Sequence, residues 1–122
     1  MKKVLGIIVL GLLWCNVAAA DMTVKLYKQY KNSSDKILRD GAESYINGVG
    51  KGIFWANIVT QVDNGKGKGL YCQPDKLALH AENYLDFVER EIEFQKKENL
   101  LNDDDNIELL LVMHLIRIFP CK

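Results

Sequence analysis

Few of the residues that do chemistry are present in this chain. It has only two histidines, His80 and His114, far apart in sequence, and three cysteines, of which Cys15 lies within an apolar leader. A catalytic centre needs a nucleophile or base with an orienting partner, and neither histidine has one close in sequence. His114, on an otherwise apolar stretch, reads as a hydrogen-bonded core histidine. Metal motifs are missing as well. There is no HExxH, and a calcium loop begun at Asp103 would have Glu108 where glycine is needed and His114 where glutamate is needed. The glycines of 48–52 and 65–69 do not fit the GxxxxGK[ST] spacing and follow no strand, which excludes a phosphate-cradling loop. Positive charge is not in excess, so there is no nucleic-acid footprint. These gaps leave no metal, no cofactor and no nucleic acid to expect, and make an enzyme the least supported class.

What is present begins with an export signal. Lys2 and Lys3, the apolar run from Val4 to Trp14, and Ala18-Ala19-Ala20 before Asp21 make a secretory signal peptide over residues 1–20, with cleavage expected after Ala20. Cys15 invites a lipid-attachment reading, but Trp14 stands where a small residue is needed. About eleven apolar residues fall short of the ~20 that span a bilayer, so no membrane anchor is expected in the mature chain. Cleavage removes two lysines and leaves 14 basic against 16 acidic side chains. Residues 21–122 make one small domain, and a domain of that size benefits from a covalent staple. In an oxidising compartment Cys72 and Cys121 are expected to pair. That bridge closes a loop of about 50 residues, which stabilises by roughly 4 kcal/mol in the chain-entropy picture.

Hydrophobic spacing predicts an all-α fold, a small disulfide-stapled bundle of about four helices. Residues 22–31 form a short helix or an extended lead-in, broken by Asn32-Ser33-Ser34-Asp35. Leu38, Ala42, Tyr45, Val49, Ile53 and Ala56 follow a helical period and predict a helix over about 36–60. Gly41, Gly48 and Gly52 lie within about 40° of one another on that helix, a groove for a close neighbour unless the glycines break it near 50–52. Residues 61–71 read as a weakly basic loop. Pro74 suits a helix start, and Leu77, Ala81, Tyr84, Val88 and Ile92 predict an amphipathic helix over 74–97. Glu82, Asp86, Glu89 and Glu93 form an acidic stripe roughly opposite, which is a solvated face or a secondary docking surface for a basic partner. Ile107–Phe119 reads as a core helix, with Asp105 and Glu108 at capping-box spacing.

Bonding Cys72 to Cys121 pins the start of the third helix beside the end of the fourth. At ~1.5 Å per residue the third would run roughly 36 Å and the fourth about 20 Å, so an acid-rich tip is expected to overhang the core. The tip carries Glu98, Asn99, Asn102, Asp103, Asp104, Asp105 and Asn106.

Tyr45-Ile46-Asn47-Gly48-Val49, Tyr71-Cys72-Gln73-Pro74, Asn83-Tyr84-Leu85 and the closing Phe119-Pro120-Cys121, in that order, resemble the Tai/Rap immunity proteins of type VI secretion. The likeness covers about residues 42–122. Many relatives carry a further cysteine before the glycine-bearing helix, where this chain has Ala42 and Ser44. The resemblance implies a small exported helical protein, often a homodimer, that protects the periplasm by neutralising a papain-like peptidoglycan amidase. It does so by plugging the amidase cleft with a projecting loop. Such an amidase cuts between D-glutamate and meso-diaminopimelate, so an acidic tip would mimic its carboxylate-rich peptide. On that reading Glu98, Asn102, Asp103, Asp104 and Asp105 contact the effector, with Glu82, Asp86, Glu89 and Glu93 secondary. The basic glycine loop at 65–69 is the other possible plug. The rival from another class is a periplasmic acid-stress chaperone, also small, helical and held by one disulfide. In those proteins the two cysteines usually enclose most of the domain, whereas Cys72 falls at its middle.

Overall fold

The computed structural model describes residues 21–63, 65 and 67–122, so the leader read over residues 1–20 lies outside the described residues. Four helices follow one another: α1 Val24–Lys31, α2 Lys36–Asp63, α3 Ala81–Lys97 and α4 Ile107–Ile118. The fold is all-α, with no strand among the described residues, and Cys72 is bonded to Cys121 with their Cα atoms 4.9 Å apart.

Local chemistry sets most helix starts. The Thr23 hydroxyl accepts from the Leu26 amide and caps α1, so the lead-in resolves as a helix. Asp35 accepts from the Ile37 amide at the head of α2. α2 runs unbroken through its glycines for 28 residues, about 42 Å. Its buried positions are Ala42, Ile46, Gly50 and Asn57, whereas Leu38 and Ala56 are exposed, so the inward face is rotated from the expected series. The groove expected at Gly41, Gly48 and Gly52 is corrected too. Those three are exposed, and a Cβ on any of them would meet nothing within 4 Å. Gly50 is the glycine that lets a neighbour in, because the Tyr84 ring lies where its side chain would be.

The third helix does not begin at Pro74. Pro74 starts a single turn, its carbonyl accepting from the Leu77 amide, and Gln73 Nε2 also donates to the Leu77 carbonyl. α3 begins at Ala81, where the Asn83 side chain accepts from the amide of His80. Residues 72–80 are not helical, and the Cys72 amide donates to the Phe119 carbonyl (2.8 Å) beside the disulfide. With 17 residues in α3 and 12 in α4, the two helices differ by only about 7 Å in length. The long overhang expected from a helix over 74–97 is therefore not formed.

Asp105 does not cap α4. Its N-cap is Asn106, with no side-chain cap. Glu108 is drawn elsewhere: it accepts from the Tyr45 hydroxyl and from the Met22 amide. α4 packs chiefly on α3. Phe87, near the start of α3, meets Phe119 beyond the end of α4 edge-on at 6.5 Å, so these helices run antiparallel. The core between the four helices centres on Val24, Tyr27, Ile46, Val88, Leu111 and Leu115, each at most 1 % exposed. Asn57 is buried at its edge and binds the returning chain through both ends of its amide. Oδ1 accepts from the Leu70 and Tyr71 amides, and Nδ2 donates to the Tyr71 carbonyl (3.0 Å). A buried amide this fully partnered anchors the 65–71 loop.

Candidate functional site: the acid-rich loop

The loop between α3 and α4 starts from a well-formed helix ending. Asn99 takes a left-handed backbone (φ 57°), its amide donates to the Lys96 carbonyl, and the Leu100 amide donates to the Gln95 carbonyl. This pair of bonds is the Schellman ending, in which asparagine is the best substitute for glycine. The chain then turns on its own side chains. The Asn102 amide donates to Asp105 Oδ2 (2.7 Å), and the Asp104 amide donates to Asn102 Oδ1 (3.0 Å). Three main-chain bonds of 2.9 Å tie the far side of the turn to the lead-in of α1: Val24 N–H to Asp105 O, Lys25 N–H to Asp103 O, and Ile107 N–H to Met22 O. Thr23 and Asn106 form the antiparallel bridge between the two segments.

The loop is thus held by bonds within the chain, and its side chains divide into two groups. Glu98, Asn102, Asp103 and Asp104 are exposed, while Asp105 is half-buried and occupied in the turn. Asp103 has one long pairing, 3.5 Å to Lys28 Nζ, with its side chain 67 % exposed. A pair so open to water contributes little to stability. The structure therefore presents two adjacent, water-facing carboxylates, Asp103 and Asp104, on a backbone ordered by other residues.

The acidic stripe on α3 is not one surface. Glu82 and Glu93 are exposed, and Asp86 holds Arg90 one turn on (2.6 Å). Glu89 faces α1 and accepts from the Tyr27 hydroxyl and Lys31 Nζ. Burial, followed by the hydrogen bond and the charge of Glu89, pushes the Tyr27 hydroxyl well above its ordinary pKa. Burial and Glu108 do the same to Tyr45, which is pushed up to about 12.

Between α3 and α4 lies a buried ionic group that sequence reasoning missed. Glu91 is fully buried on α3, and Arg117 of α4 grips it with two bonds of 2.8 and 2.9 Å. Gln95 Nε2 donates to the same carboxylate (2.8 Å), and His114 Nδ1 lies 3.2 Å from it. The His114 ring packs on Phe87 at 5.1 Å, and the Arg117 guanidinium sits 3.6 Å over the Phe94 ring. The histidine is therefore a bonded core residue, and the cluster clamps α3 to α4. The available signal was positional: Glu91 stands seven residues after Tyr84 and three after Val88, on the buried side of its helix.

Among the described residues no group of three histidine, cysteine or acidic side chains is placed to hold a metal ion, and no helix is long and apolar enough to cross a membrane. Compared with known proteins, the chain matches no family model, no curated protein and no solved structure.

Proposed function

We propose that this protein is a periplasmic immunity protein that binds a peptidoglycan amidase delivered by a type VI secretion system and blocks its cleft with the loop over 98–106. The observation that carries this reading is the pair Asp103–Asp104, exposed on a loop that α1 holds by main-chain bonds. A preordered loop binds without the entropic cost of ordering itself. Its carboxylates match the acidic peptide that such an amidase must hold, and occlusion requires no chemistry from the inhibitor. Asp105 has the different task of keeping the turn closed.

The test replaces Asp103 and Asp104 with alanine and leaves Asp105 in place. Affinity for the amidase should fall at least tenfold, about 1.4 kcal/mol, and the remaining binding should depend less on salt. Unchanged affinity and salt dependence would remove the loop from the interface. Replacing Lys68 and Leu70 in the other loop serves as the control.

A further inference from the structure

Because α3 begins at Ala81 and not at Pro74, residues 72–80 form a non-helical excursion that is tied down at both ends. Cys72 is held to Cys121 by the disulfide and to Phe119 by a main-chain bond, and the His80 amide is held by the Asn83 side chain at the head of α3. Between these anchors Leu77 is bonded twice: its amide donates to the Pro74 carbonyl, and its carbonyl accepts from Gln73 Nε2. The excursion and the second half of α2 enclose an open-mouthed cavity of about 410 Å³. From α2 come Lys51, Phe54 and Trp55, spaced i, i+3 and i+4 on one helix face. The excursion supplies Leu77 and Leu79. Tyr84 of α3 completes the lining, its ring brought against α2 because Gly50 has no side chain.

We propose that this cavity binds a small aromatic carboxylate, with its ring among Phe54, Trp55, Tyr84 and the two leucines and its carboxylate paired with Lys51. The volume lies within the range of small-molecule sites, which are mostly apolar with a few polar groups that fix orientation. Lys51 is the one charged residue of the lining. Among the described residues it has no carboxylate within ion-pair distance, so its charge is open to an anion and opposes a cation. The Phe54 and Trp55 rings stand 71° apart with centroids at 5.4 Å. A flat ring laid parallel to one therefore stands edge-on to the other, and aromatic pairs favour offset-stacked and edge-to-face arrangements. A flexible acyl chain would make no ring contacts and would lose rotational freedom on entering, which a planar ring does not. Trp55 and Leu77 are 64 and 40 % exposed in the single chain, so a ring placed here removes apolar surface from water. None of these residues belongs to the 98–106 loop, and the proposal does not depend on the amidase assignment.

Nuclear magnetic resonance titration of the isotope-labelled protein with benzoate, naphthoate, decanoate and the uncharged naphthalenemethanol tests it. The Trp55 indole signal is identified by its loss in Trp55→Phe. Naphthoate should shift that signal and the backbone signals of 51–55 and 77–79 saturably, with a Kd at or below about 1 mM, and should bind more tightly than decanoate. Naphthalenemethanol should bind about three- to fivefold more weakly, the factor that an exposed ion pair supplies. Lys51 is exposed, so Lys51→Gln keeps its fold and its melting temperature. That variant should bring naphthoate down to the level of the neutral compound and leave the neutral compound unchanged. No saturable shift of these signals with either benzoate or naphthoate, tighter binding of decanoate than of naphthoate, or naphthoate affinity unaltered by Lys51→Gln would each overturn the proposal.

Discussion

The ring of Tyr84 occupies the place of a side chain at Gly50: a Cβ there would lie 2.5 Å from the ring carbons. Tyr84 is buried at the start of α3, so the ring has little room to retreat. Gly50→Ala should therefore destabilise the fold by about 1–3 kcal/mol through overpacking. Gly48→Ala, two residues away and facing open space, should stabilise it by about 0.4–1 kcal/mol. Urea denaturation measures both, and equal signs would contradict this packing.

The clamp between α3 and α4 should respond asymmetrically to loss of its partners. Arg117→Ala takes the guanidinium from a carboxylate that is completely buried and leaves it only Gln95 and His114, whereas Glu91→Ala leaves a guanidinium whose side chain is already 37 % exposed and can turn toward water. Removing one partner of a buried pair costs about 3–5 kcal/mol. Arg117→Ala should fall in that range and Glu91→Ala below it. Equilibrium unfolding of the two variants checks the order.

Alkaline pH should unfold the protein. Burial pushes Tyr45 and Tyr71 up to about 12 and raises Tyr27 and Tyr84 as well, while an unfolded tyrosine loses its proton near 10. Above about pH 10 the unfolded chain sheds protons that the folded chain keeps, so stability is intact below that pH and falls as pH rises toward 12. In a Tyr30→Phe protein, which keeps only the four raised tyrosines, tyrosinate absorbance and helical circular dichroism followed together should change in one step. Ionisation of these four near pH 10 with the helices intact would contradict the assignment.

The helical class and the disulfide were legible in the sequence because both depend on strong signals, regular apolar spacing in α3, a nearly unbroken apolar run in α4 and a single pair of cysteines after residue 20. The start of α3 was not. Proline at a first helical turn and proline at an isolated turn look alike locally, and the Phe119 carbonyl that binds the Cys72 amide belongs to the other end of the chain. Glu91 escaped notice for a similar reason. Its partner Arg117 lies 26 residues away on another helix, and a charged residue on a buried face is explained only by that partner. The glycines were read as a groove for a neighbour. Among the described glycines of α2 only Gly50 admits a close neighbour, and Gly41, Gly48 and Gly52 are exposed. Composition located the acidic loop, but its attachment to α1 depends on main-chain hydrogen bonds that no residue type announces.

Inhibition is read most directly from muropeptide cleavage by a purified peptidoglycan amidase of the type VI class titrated with this protein. The expected result is loss of cleavage that reaches completion at a fixed stoichiometry, together with a complex recovered from the same mixture. Undiminished cleavage with no complex across several such amidases would contradict it.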